Sequence, residues 1–229
     1  MNAHTEGTDE DAPLAPEQML ALLENQRRSV EGQVASFVPT IILTWGIAWL
    51  AGFGVLWMID GLKPDLSIPL PVAATIFAIL IVGAIVLSAI LGIRSGRGMR
   101  GNAGDAFQGI VYGCAWMLGG IAIAVFGQGL IVNGMDPEVA NIYYPVAYVL
   151  FAGLMYVVSG AMWRAVPALI LGVWTIIVGL VAPFFGYPTH YLFMALAGGL
   201  GLIALAVAAF IHLARLRRTI ARAGEVRRG

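Results

Sequence analysis

The chain has 229 residues, of which 59% are hydrophobic and only 11% charged, with a formal net charge of zero. Soluble domains carry about 25% charge, so an ordinary water-soluble domain is excluded. A single cysteine, Cys114, excludes an intrachain disulfide, a thiolate metal site and a Cys-x-x-Cys redox pair.

Residues 1–15 are polar and acidic, with Glu6, Asp9, Glu10 and Asp11, and read as a disordered tail. They lack the basic start of a cleavable signal, and the first apolar run is too long for a signal core. Residues 16–33 read as a cytosolic amphipathic helix. Met19, Leu20, Leu22, Leu23 and Val30 give its stripe, and Glu24 precedes Arg28 in the favourable i,i+4 order. Glu17, Glu24 and Glu31 offset Arg27 and Arg28, so packing against the cytosolic loops or a protein partner suits this helix better than anionic lipid, and its simplest reading is a lead-in to the first span.

Residues 34–214 form one membrane domain. A spanning helix needs about 20 apolar residues, and the candidates lie at about 37–59, 71–93, 107–132, 143–163, 165–185 and 191–213. Charged, Gly- and Pro-containing segments separate most of them. Only Arg164 divides the fourth from the fifth. A charge at mid-bilayer costs at least about 2.5 kcal/mol, and Pro167 suits the first turn of a new helix. The expected fold is therefore all-α: a polytopic six-helix transmembrane bundle. Residues 215–229 are a basic tail.

Charge gives the orientation. Twelve arginines fall on one side and only Lys63 on the other. The arginine side is expected to be cytosolic, with both termini inside and the protein in the cell membrane. Arg94, Arg97, Arg100, Arg215, Arg217 and Arg218 are the candidates for fixing topology and meeting anionic lipid.

The odd spans echo one another. Trp45-Gly46-Ile47-Ala48-Trp49 and Tyr112-Gly113-Cys114-Ala115-Trp116 share aromatic-Gly-x-Ala-Trp, with Gly52 and Gly119 three residues beyond; Leu171-Gly172-Val173-Trp174 is a shorter form. This suggests three parallel hairpin repeats, a device known in transporters. Lipid gives no hydrophobic drive for helix association, so small residues must permit close contact. Gly46, Gly52, Gly109, Gly113, Gly119, Gly198 and Gly199 are the candidate packing positions. Trp49, Trp116, Trp174 and Gln128 are candidates to line a ligand cavity, against the simpler reading of the tryptophans as filling in a solid core.

Chemical signatures are missing. No ionisable residue lies well inside a span, the membrane-proximal His190 and His212 fall on opposite faces, and neither His-Glu-x-x-His nor a Walker A loop occurs. No catalytic residue, metal or cofactor is expected, and the chain is not expected to be an enzyme. Nucleic-acid binding is not expected, because no folded module accompanies the basic tail. The expected partners are the bilayer and either a second copy or a cytosolic protein.

The Glu24-Asn25-Gln26-Arg27-Arg28 lead helix, the Gly46–Gly54 run and the Met194-Ala-Leu-Ala-Gly-Gly run together resemble small six-span integral membrane proteins of actinobacteria-like genomes. That resemblance covers most of the chain and implies no activity. The residues themselves favour a small transporter or the membrane subunit of a transport system. The alternative is a non-catalytic accessory or signalling protein that holds a cytosolic partner.

Overall fold

A computed structural model describes residues 16–96 and 103–226. Among them there is no strand. The helices are α1 (Pro16–Trp57), α2 (Leu70–Gly96), α3 (Ala103–Val132), α4 (Pro137–Met162), α5 (Val166–Val181), α6 (Thr189–Phe193) and α7 (Gly201–Val226). A 3-10 turn (Ala182–Phe185) ends α5, and a π-helical segment (Met194–Leu200) joins α6 to α7. Six helical segments are long and apolar enough to cross a bilayer: Phe37–Trp57, Leu70–Arg94, Phe107–Val132, Pro137–Met162, Val166–Phe185 and Thr189–Leu216. The chain therefore has the make-up of a multi-pass membrane protein.

Three boundaries have local causes. The lead helix runs straight into the first span, even through Pro39; a change of polarity does not break a helix that has no terminating residue. The fourth span begins at Pro137, because Asp136 caps it by accepting a 2.8 Å hydrogen bond from the Glu138 amide and Pro137 has no N–H to leave unpaired. The basic tail continues α7 as far as Val226.

The turn between α4 and α5 is built on Arg164. The Ala165 amide donates to the Gly160 carbonyl at 2.9 Å, spanning the end of α4, while Arg164 holds φ at 51°. This is the helix ending that usually places glycine at the left-handed position; here the chain keeps an arginine there.

Neighbouring helices follow the order α2, α1, α6–α7, α5, α4, α3. Two contacts are sealed by glycine against backbone. A Cβ on Gly199 would lie 2.6 Å from the Leu50 amide nitrogen, and one on Gly46 would lie 2.9 Å from that of Ile203. Between α4 and α5, a Cβ on Gly172 would lie 2.6 Å from the Val157 nitrogen. Such approach multiplies the van der Waals contact that must hold helices together in lipid. Around these seams lies the core of Trp49, Phe53, Val178, Tyr191, Met194 and Ala195.

The outer members of the row are different. In the most apolar 18-residue window of α3 no residue is buried, and in that of α2 only 6% are. The α3 helix leans on α4 through aromatic side chains. The hydroxyls of Tyr112, Tyr143 and Tyr148 donate to the carbonyls of Met155, Ile123 and Gly120 across that contact.

Candidate functional site: a polar junction beside an acidic cleft

Proline 145 sits inside α4 and has no amide hydrogen. The carbonyl of Asn141, four residues earlier, therefore has no helical donor. Two side chains of α6 use it. The Tyr191 hydroxyl donates to it at 3.1 Å, and His190 Nε2 lies 3.1 Å away. His190 Nδ1 faces the Gly186 carbonyl at 3.2 Å, and the whole residue is fully buried. Its ring lies against that of Tyr191 with centroids 3.9 Å apart. One missing N–H in α4 thus becomes the docking point for the start of the last span.

The preceding turn ties in the segment that follows α1. Tyr187 donates its hydroxyl to Asp60, and Lys63 pairs with the same carboxylate. The Lys63 ammonium and the Tyr187 hydroxyl hold the Asp60 carboxyl below its usual range, against weak desolvation. Burial, then the bond to Asp60, pushes the Tyr187 phenol up. Both groups move away from neutrality, so neither suits proton transfer near pH 7. No buried side-chain nitrogen or oxygen among the described residues lacks a hydrogen-bond partner.

Beside this junction lies an open cleft of about 850 Å³, lined by Asp136, Pro137, Glu138, Val139, Ile142, Gly186 and Tyr187. The Asp136 carboxylate is engaged in capping α4, while Glu138 is exposed. Carboxylate, phenol and apolar wall together can hold a cation with an apolar body. Among the described residues, no three of His, Cys, Asp or Glu group as metal ligands would.

The residues singled out from sequence are divided. Trp49 packs against Gly198, with a Cβ there only 2.7 Å from its ring. Trp174 donates its indole N–H to the Ala197 carbonyl at 3.1 Å and covers Gly201. These two tryptophans converge on the π-helical segment and its end, from α1 and α5. Trp116 lies elsewhere, between Phe151 and Tyr156 of α4, and Gln128 is exposed on α3. The four do not surround one cavity.

The glycines divide in the same way. Gly46, Gly198 and Gly199 lie in the α1 seam; Gly52 receives Phe77 and Gly119 receives Phe151. Among the described residues, nothing lies within 4 Å of a Cβ placed on Gly109 or Gly113. Arg94, Arg215 and Arg218 are exposed at one end of the bundle. Arg97 and Arg100 lie outside the described residues, as does the side chain of Arg217.

The junction of Asp60, Asn141, Tyr187, His190 and Tyr191 was not singled out from sequence. Its one local signal is a proline four residues after Asn141 within an apolar span. Comparison of the chain with protein families, curated proteins and solved structures finds no match.

Proposed function

We propose that this chain is a non-catalytic membrane subunit of a transport system, and that copies of it join through α3. One observation carries the reading: the most apolar window of α3 has no buried residue, while Gly109 and Gly113 face open space. Small residues on an unoccupied face are what close helix pairing in lipid requires. The core supports a subunit over a self-sufficient carrier, because Trp49, Val178 and Met194 fill the centre where a solute path would run.

Cys114 supplies the test. It is exposed on α3 beside Gly113, so oxidative or short bis-maleimide crosslinking in membranes should give a covalent dimer that Cys114→Ser abolishes. Absence of that dimer, with a monomeric mass in mild detergent, would overturn the α3 interface. Uptake by vesicles containing the protein and its co-expressed partners addresses transport separately.

A second reading is favoured by α1. It runs unbroken for 42 residues, and its first 21 residues, before the span at Phe37, amount to about 30 Å of helix. Such an arm suits the accessory role of holding a cytosolic protein. Crosslinked pull-down with and without residues 1–33 separates the two; an unchanged partner list removes the second.

Orientation and repeats belong to the same proposal. The twelve-to-one division of basic residues supports a cytosolic arginine end with both termini inside. Trp45 donates to Ser88 and Tyr112 donates to Met155, each bond linking a motif aromatic to a residue 43 positions on. That matching offset supports a common origin for the first two hairpins.

A further inference from the structure

Between α5 and α7 runs a groove of about 380 Å³, lined by Ile170, Leu171, Trp174, Gly201, Ala204, Leu205 and Ala208. It lies within two spans, so hydrocarbon surrounds it. On α7, positions 201, 204, 208, 211, 215 and 218 follow the alternating 3-4 spacing of a single helix face. The face that carries Gly201, Ala204 and Ala208 in the groove therefore continues to Arg215 and Arg218, both exposed.

On α5 the groove-lining residues begin six positions after Arg164, which lies in the turn before that helix. Trp174 lies over Gly201 and sets the two helices in register. From that level Arg164 is about 15 Å away along α5 and Arg215 about 21 Å away along α7. The difference is smaller than the length of an arginine side chain, so the guanidinium groups can share one depth. Arg164 is also kept at a left-handed φ of 51°, a conformation that favours glycine and disfavours a residue with a side chain by about 1 kcal/mol. Its side chain does no capping that glycine could not do.

We propose that this groove is a phospholipid site: one acyl chain of an anionic glycerophospholipid lies along Ile170, Trp174, Ala204 and Ala208, and its phosphate is held by Arg164, Arg215 and Arg218. The apolar trough fits a chain and not a soluble anion. The arginines at its mouth select a negative headgroup over a zwitterionic one.

The test uses the full chain in detergent micelles, titrated with phosphatidylglycerol or with phosphatidylcholine of the same chains, and read by native mass spectrometry. Wild type should retain phosphatidylglycerol in preference. Arg164→Gly should weaken its retention about fivefold, as expected for about 1 kcal/mol per basic residue, and leave phosphatidylcholine unchanged. Because glycine suits the turn, this variant should melt no lower than wild type, which separates lost binding from lost fold. Ala208→Leu, which fills the groove, should lower retention of both lipids. Equal retention of the two lipids by wild type, or full phosphatidylglycerol retention by Arg164→Gly, would overturn the site. Displacement of the lipid by millimolar glycerol phosphate would also overturn it, since the headgroup alone would then suffice.

Discussion

The contact of α1 with the end of the π-helical segment and the contact of α3 with α4 use the same residue type in opposite ways. In the first, Gly46 and Gly199 meet backbone, leaving no room for any side chain. In the second, Gly119 and Gly127 receive the rings of Phe151, Tyr143 and Tyr144, and tyrosine hydroxyls span the gap to helix carbonyls. The first contact is rigid because neither partner can yield. The second is held by side chains that can change rotamer, and it leaves most of α3 outside the core. Glycine in a membrane helix is thus informative only once its opposite number is known.

Substitutions can break this contrast in order of size. Gly199→Leu should be the most damaging, because its side chain would have to displace the Leu50 backbone; we expect a loss of about 3 kcal/mol or failure to fold, read by thermal unfolding in micelles. A melt unchanged by Gly199→Leu would mean the two contacts are not different in kind. His190→Leu, which removes the buried link between α4 and α6, should lose about 2 kcal/mol. Combined with Tyr191→Phe it should lose more than the sum, since the Asn141 carbonyl then has no donor at all; a double-mutant cycle measures the excess.

Tyr187→Phe should cost about 1 kcal/mol, with a pH signature. Asp60 has its folded pKa lowered from 3.8, so its contribution is present above that value and is lost as pH falls through the folded one. Tyr187 has its pKa raised from 10.0, so its contribution is complete below about pH 10 and is lost as pH rises toward the folded value. The melting difference between wild type and Tyr187→Phe should therefore be flat between about pH 4 and 10 and shrink on both sides. The smallest effect belongs to Gly113→Leu, below about 0.5 kcal/mol for the monomer, although it should abolish Cys114 crosslinking if copies meet there.

Much of the fold was legible because lipid imposes a severe rule: backbone groups must pair within a span, so apolar length reveals helices directly. The exceptions have specific causes. The fourth span starts six residues before the apolar run does, because Glu138 and Asn141 make its first turn look like loop, whereas Asp136-Pro137 is the stronger signal. The π-helical segment could be seen only as a Gly-rich run. Trp49 and Trp174 stand out by their repeated setting, yet repetition cannot say that both meet Gly198–Gly201 while Trp116 does not. His190 looked like a turn residue, because its burial depends on a carbonyl 49 positions away that only Pro145 leaves unoccupied.

The widened turns at Met194–Leu200 also fix an angular phase within the last span. Above them, His190 and Tyr191 must point to α4; below them, Gly201 and Ala204 must face α5. An ordinary helix advances about 100° per residue, so deleting a single residue there would regularise the coil yet swing one half out of alignment with the other. The wide turns act as a keyway, and the molecule holds its two ends in correct rotation only while the extra backbone is present.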